Sequence, residues 1–175
     1  MIDTTLGTST ANSYVSVEDA DSYLASVGAS TWTGTDEAKE AALIRATQYI
    51  DGKFRGSWNG RKLNGRSQAL DWPRYGATDC DGNSIDQTIP VEIVKATCEA
   101  ALRELTSPFS LSPDVVEGTQ KTLVGVDSLR WETNTTKTGA DAMRPVLTVV
   151  EDILSGLICS GLSNQTSSTH FIMRA

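Results

Sequence analysis

The stretch of sequence that decides the fold is residues 68–76, Gln68-Ala-Leu-Asp-Trp-Pro-Arg-Tyr-Gly76. Its Trp-Pro pair does not by itself indicate any catalytic activity. Proline lacks a backbone donor and restricts the residue before it to extended conformations, so we expect Trp72 to lie in a fixed pocket. Together with Leu70 and Pro73, Trp72 is predicted to act as a staple that pins a long loop onto the helical core.

That loop covers residues 52–88, where six glycines interrupt a stretch without sustained helical or strand periodicity. Large apolar side chains are scattered through it. A long loop of this composition is predicted to pack on the helices through its aromatic rings. A second interpretation is a platform on which single-stranded nucleic acid stacks. The candidate residues of that platform are Trp58, Arg61, Lys62 and Arg66, and the acidic protein around them favours the first interpretation.

The charge of the chain is unevenly distributed. Its 175 residues carry a formal net charge of −7, which argues against a general affinity for nucleic acid. Residues 45–75, however, hold seven basic and two acidic side chains, whereas the remainder holds 8 basic and 20 acidic ones. Two interpretations stay open for this local basic surface. Its side chains bind a partner, or they pair with acidic neighbours in a solvated loop.

Hydrophobic periodicity and capping residues predict a mainly α-helical fold, a small bundle of about four helices. The helices are expected at about 17–27, at 36–51, from Pro90 to before Pro108, and from Pro145 onward. A short β-hairpin is predicted near residues 121–132, around Asp127-Ser128.

The chain is predicted to have three parts: an extended N-terminal arm at 1–15, a helical domain at 16–159 and a C-terminal tail at 160–175. The tail is polar in composition but ends in an apolar tip, His170-Phe-Ile-Met173. An apolar tip on a solvated linker makes sense if it docks on a partner, so His170, Phe171, Ile172 and Met173 are candidate partner-binding residues. The alternative is that the tip frays or packs back on its own domain.

Little in the sequence points to catalysis. The single histidine lies in the tail, so no Ser-His-Asp or Cys-His arrangement can be built from structured parts. The three cysteines form no zinc-binding pattern, and we expect them to be reduced, structural thiols. The run 79–83 is predicted to be a turn, because it lacks the spacing of a calcium loop. No enzyme activity, cofactor, metal or membrane span is therefore expected.

Several blocks of the sequence resemble, in the right order, one family of proteins of tailed bacteriophages. The blocks are Ala11–Leu24, Ala38–Asp51, the 68–74 run followed by Asp81-Gly82, Pro90–Leu102 and Val124–Val126. The resemblance covers about residues 11–157, and the joint occurrence of the blocks is specific. The family is described as DnaT-like single-stranded-DNA-binding protein, and it looks like the head–tail connector, or adaptor, proteins of the phage neck.

The resemblance to connectors implies a structural subunit of a homo-oligomeric ring, expected to hold twelve copies. The ring would bind beneath the phage portal protein and above a tail, tail-terminator or nozzle protein. Double-stranded DNA would pass through the bore without sequence-specific binding. The subunit would be made in the host cytoplasm and reside in the virion neck. The family's description implies the alternative, DnaT-like binding of single-stranded DNA.

Overall fold

A computed structural model of the chain describes residues 1–85, 87–112, 121–125, 130–133 and 146–159. Its body is a bundle of four helices: α1 (Val17–Ser26), α2 (Asp36–Phe54), α3 (Val91–Thr106) and α4 (Thr148–Leu154). Two small antiparallel ladders accompany the helices. The prediction of a mainly α-helical fold with a short β-hairpin is confirmed.

The first two helices begin where the sequence predicts, because side-chain oxygens cap them. The hydroxyl of Ser16 accepts a hydrogen bond from the backbone N–H of Asp19 at 3.1 Å. The hydroxyl of Thr35 accepts one from the N–H of Ala38 at 3.3 Å. Each bond satisfies one of the N–H groups that a helix leaves unpaired in its first turn.

Two predicted helix bounds are wrong. The second helix was expected to close at Gly52 but continues to Phe54. The ring of Phe54 is buried against Trp58, with ring centroids 5.9 Å apart, and this packing outweighs the cost of about 1 kcal/mol for one glycine in a helix. The last helix begins at Thr148, because Leu147 before it has an extended backbone.

Helix α3 is central, since it packs against α1, α2 and α4. Small residues on its buried face let the neighbouring helices approach closely. They are Ala96, Ala100 and Ala101 on α3, and α2 adds Ala42 and Ala46 to the same core. The helices also contribute fully buried aliphatic side chains to this core, among them Leu24, Leu43, Ile50, Ile93 and Leu154.

Residues 1–15 form no helix or strand, yet they lie against the body. Tyr14 and Val15 are buried in the core. The amide of Asn64 donates to the carbonyl of Gly7 at 2.9 Å. Gly7 has φ +70°, and a Cβ at this position would lie 2.8 Å from the Asn64 amide nitrogen. The segment therefore contacts the long loop at one end and the helical core at the other.

The two ladders differ in their surroundings. β1 (Arg61–Lys62) and β2 (Arg74–Tyr75) pair inside the long loop, where the sequence predicts no strands. β3 (Lys121–Gly125) and β4 (Arg130–Thr133) form the predicted hairpin, with a register shift between Leu123 and Gly125. Among the elements that the structure describes, β3 and β4 contact each other and no helix.

The expectation of three reduced cysteines is wrong. Cys80 and Cys159 form a disulfide, with their Cα atoms 5.4 Å apart. The fold brings together the turn at 79–83 and the end of α4, where the backbone N–H of Cys80 donates to the carbonyl of Gly156 at 2.9 Å. Cys98 is a free, buried thiol, and burial raises its pKa to about 12.

We expect reduction of the disulfide to lower the melting temperature by about 8–20 °C. The bond links residues 79 positions apart, and closing a loop of that length stabilises a fold by roughly 4–5 kcal/mol in the chain-entropy account. Thermal unfolding with and without reductant measures the shift.

Matched variants separate the disulfide from other effects of reductant. Cys80→Ser should melt like the reduced protein in either condition, whereas Cys98→Ser should keep the full response to reductant. Three titratable thiols in the unreduced, denatured protein would refute the pairing.

Candidate functional site

The loop that carries the basic residues folds back on itself around Gln68, whose side chain is buried. The Gln68 amide nitrogen donates to the carbonyls of Leu70 and Pro73, at 2.9 and 3.0 Å. Its oxygen accepts from the backbone N–H of Asn64 at 3.2 Å. One buried side chain thus satisfies backbone groups that an irregular segment would otherwise leave unpaired. The peptide bond between Trp72 and Pro73 is cis.

The two tryptophans of the loop, Trp58 and Trp72, belong to the core. Trp72 is 2% exposed and Trp58 is 7% exposed, and their rings meet edge to face with centroids 5.9 Å apart. Pro73 is fully buried and Leu70 is half-buried. Because Trp58 and Trp72 present no open ring face, they offer no surface on which a base can stack.

Beneath the loop lies a cluster of buried polar groups from three distant parts of the chain. The hydroxyl of Tyr14 donates to Asp51 Oδ1. It accepts from the backbone N–H groups of Asp71 and Trp72, each at 3.2 Å. Asp51 Oδ2 accepts from the N–H of Asp71 at 3.0 Å. The cluster therefore holds the start of the Trp-Pro turn to the N-terminal segment and to α2.

Burial changes the ionisation of this cluster. It raises the pKa of the Asp51 carboxyl to about 6; the negative charge of Asp71 adds to the shift, and the hydrogen bond from Tyr14 opposes it. Burial, together with the charge of Asp51, also raises the pKa of Tyr14 well above its usual range. The Tyr14 hydroxyl therefore remains protonated and keeps its role as a donor.

The Asp71 carboxylate is fully buried and lies between two basic side chains. Arg55 Nε donates to Asp71 Oδ2 at 3.2 Å. The Lys62 ammonium lies 3.0 Å from Asp71 Oδ1, but it is not directed at that oxygen as a hydrogen-bond donor. Lys62 donates instead to the carbonyls of Gln68 and Ala69, at 3.4 and 3.2 Å. This side chain is therefore used by the fold and is not free for a ligand.

The fold uses most of the other basic side chains of residues 45–75 in the same way. The internal pairs are Arg45 with Glu104, Lys53 with Glu151, Arg55 and Lys62 with Asp71, and Arg74 with the carbonyls of Asn59 and Gly60. The interpretation in which the basic residues pair with acidic neighbours therefore holds for four of the seven.

Arg74 bonds to backbone carbonyls instead of an acid. The last two basic side chains, Arg61 and Arg66, lie on the surface. The Arg61 guanidinium lies 4.9 Å from the ring centroid of Tyr75, its partner across the β1–β2 ladder. Tyr75 is 51% exposed. Of the four candidate residues for a nucleic-acid interface, the structure thus leaves Arg61 and Arg66 exposed, with the Tyr75 ring beside Arg61.

The described residues hold no group of three or more metal-ligating side chains. Asp79 accepts from the backbone N–H groups of Asp81 and Asn83 at 3.0 and 2.8 Å, as expected of a turn. Within the same part of the chain, no helix is both long and apolar enough to cross a membrane. The candidate partner-binding residues His170, Phe171, Ile172 and Met173 lie outside the described residues.

A family model described as "Putative DnaT-like ssDNA binding protein" matches residues 1–175, the full length of the chain. No curated protein and no solved structure matches the chain.

We expect the free energy of unfolding to fall as pH rises from about 4 to about 6. The Asp51 carboxyl has a pKa of about 6 in the fold and an ordinary value of 3.8. Between these values the folded protein holds a proton that the unfolded chain has lost, so stability decreases with pH. The decrease should be on the order of 2–3 kcal/mol and complete by about pH 7. Urea unfolding at pH 4.5, 5.5, 6.5 and 7.5 measures it.

The variant Asp51→Asn should remove this part of the pH dependence, whatever its effect on stability at a single pH. Asp81→Asn, at an exposed carboxyl of the 79–83 turn, should leave the dependence unchanged. An identical slope in Asp51→Asn and the parent protein would show that Asp51 does not carry the effect.

Proposed function

The chain belongs to the family described as putative DnaT-like ssDNA binding protein, and from that premise we propose that it works as a structural subunit of a phage head–tail connector ring. Two lines of support meet in this proposal: the ordered sequence blocks that resemble connector proteins, and the position of the β3–β4 hairpin. The hairpin is the structural observation on which the proposal mainly depends.

Among the elements that the structure describes, no helix packs on the hairpin. An isolated two-stranded hairpin is marginal in water and has two edges with unpaired backbone groups. β3 and β4 contact none of the described helices. A neighbouring subunit can supply the missing contacts, and head-to-tail contacts of this kind close a ring when the rotation between subunits allows it.

Exposed apolar side chains on the helical body also suit an assembly protein. Val91 at the start of α3 and Val149 on α4 are both exposed, as is Val146 just before α4. Contiguous apolar surface is a feature of protein interfaces, whereas nucleic-acid contacts are polar and positively charged. A net charge of −7 also suits a conduit, because DNA that must slide through is not gripped by an acidic wall.

The partners follow from the resemblance to connectors. They are further copies of the chain, expected to be twelve in the ring, the portal protein above and a tail-side protein below. The tip at 170–173 is proposed as the anchor to the portal. Passing double-stranded DNA would be held without sequence-specific contacts, and the site of action would be the virion neck after assembly in the host cytoplasm.

We expect rings in negative-stain images of the protein mixed with the portal protein of its phage. Replacing residues 121–133 by a short Gly-Ser linker should abolish the rings while leaving the helical circular dichroism intact. Deleting residues 160–175 should keep the helical fold but abolish attachment to the portal. The proposal is overturned if the protein stays monomeric beside the portal, or if the hairpin replacement assembles normally.

Single-stranded-DNA binding is the second candidate, supported by the family's description and by the exposed Arg61–Tyr75 pair with Arg66 nearby in the sequence. Arginine and one aromatic ring are the elements of a stacking contact. The buried Trp58 and the internally bonded Lys62 remove two of the four residues first considered for this role.

A gel-shift titration with a 20-nucleotide oligo(dT) at physiological salt distinguishes the two functions. A connector subunit should show no salt-sensitive binding below micromolar concentrations. A DNA-binding protein should bind in that range and lose at least tenfold in affinity in the double variant Arg61→Ala/Arg66→Ala. The matched control is Lys95→Ala/Arg103→Ala, which removes the same charge from exposed positions of α3.

A further inference from the structure

The Cys80–Cys159 disulfide lies near the surface and fastens the end of α4 to the 79–83 turn. Both cysteines are half-buried, and the sulfur of Cys80 lies 3.6 Å from the carbonyl oxygen of Ser155 at an exposed position. Thiol–disulfide exchange requires that a thiolate reaches one of the two sulfurs. A half-buried disulfide is open to such attack in the folded protein, whereas the buried thiol of Cys98 is shielded.

The segment that the disulfide fastens carries apolar side chains into the core. Helix α4 spans seven residues, Thr148–Leu154, and a helix of this length is not stable by itself in water. Val150, Leu154 and Leu157 are buried in the core cluster. Their burial has to compensate for the conformational entropy that is lost when the segment becomes ordered. The position of α4 therefore depends on what holds it against the body.

Polar contacts accompany this packing. The backbone N–H of Cys80 donates to the carbonyl of Gly156 at 2.9 Å. The Lys53 ammonium lies 2.8 Å from the Glu151 carboxylate, but the Glu151 side chain is 41% exposed, and ion pairs that reach solvent contribute little. The covalent bond differs from both contacts, because it keeps the end of α4 beside the turn even when the packing opens, so that α4 closes again readily.

We propose that the Cys80–Cys159 disulfide is a redox-controlled latch, which holds α4 on α3 when oxidised and releases α4 and residues 155–159 when reduced. Because α3 also packs on α1 and α2, the body retains a core of its own when α4 leaves. Opening exposes the buried apolar side chains of α4 and the surface of α3 on which they pack, and such a surface suits a protein partner. The inference stands independently of the proposed function.

The reaction needs a reductant, such as a small-molecule dithiol. The first thiolate of the dithiol attacks one sulfur of the bond, so that a mixed disulfide forms and the other cysteine leaves as a thiolate. The second thiol of the dithiol then displaces the remaining cysteine. Cys80 and Cys159 end as thiols, having gained two electrons and two protons, and the dithiol ends as its own cyclic disulfide. The latch is therefore open where thiol reductants prevail and closed in oxidising surroundings.

Alkylation of the folded protein tests access to the bond. Dithiothreitol at about 1 mM should make two cysteines alkylatable by iodoacetamide within about an hour without denaturant. The third, Cys98, should react only after unfolding, because it is buried. Mass spectrometry of the quenched protein counts the modified residues. If Cys80 and Cys159 become alkylatable only in denaturant, the bond is not open to exchange in the fold and the proposal is overturned.

Hydrogen exchange shows what reduction releases. The backbone N–H groups of Cys80 and Ile158 are bonded at the latch, to the carbonyls of Gly156 and Leu154. Reduction should accelerate their exchange by a factor roughly tenfold or more above the acceleration of the buried α3 amides at Ala100–Ala101. Equal acceleration in both places would show that reduction loosens the whole fold. No acceleration at Cys80 and Ile158 would show that α4 stays closed, and either result overturns the proposal.

Variants separate the latch from other effects of the reductant. Cys159→Ala should show the fast exchange of Cys80 and Ile158 without reductant and no further response to it. Cys98→Ser, which keeps the disulfide, should respond to reductant like the parent protein. A folded Cys159→Ala in which Cys80 and Ile158 stay protected contradicts the latch. The comparison of oxidised and reduced parent protein decides the question if Cys159→Ala does not fold.

Discussion

The fully buried carboxylate of Asp71 is the constraint on which the rest of the structure depends. Its two oxygens lie beside Arg55 and Lys62, and its own N–H is bonded to Asp51 and Tyr14. A buried charge is tolerated only where partners compensate it, and removing one partner of such a group typically costs about 3–5 kcal/mol. Asp71 therefore couples the N-terminal segment, α2 and the long loop into one unit.

This coupling gives the Trp-Pro motif a structural role in the fold. Trp72 follows Asp71 directly, so the contacts that fix the aspartate also set the tryptophan in the core. Of the basic side chains in residues 45–75, Arg55 and Lys62 pair with Asp71, whereas Arg45 and Lys53 pair with acids of α3 and α4. The other exposed basic residues here are Arg61, which lies over Tyr75, and Arg66.

The sequence predicts the parts of this fold that depend on near neighbours. The caps at Ser16 and Thr35, the α-helical class and the β3–β4 hairpin all follow from local spacing or composition. The Tyr14–Asp51–Asp71 cluster and the Cys80–Cys159 disulfide do not, since their members lie 20 to 79 positions apart. A buried aspartate looks the same in a sequence as a solvated one. The basic residues near Asp71 in the sequence and the Trp-Pro pair directly after it are signals from which its burial could have been predicted.

Hydrogen exchange of the Asp71 and Trp72 backbone amides tests this account most directly. Both N–H groups are buried and bonded to Tyr14, so they should exchange only through global unfolding, as slowly as the core amides of α3. Their protection should be lost together with that of α3 as denaturant is added. Exchange within seconds, at the rate of an exposed loop, would contradict the claim that the Asp71 cluster makes this loop part of the core.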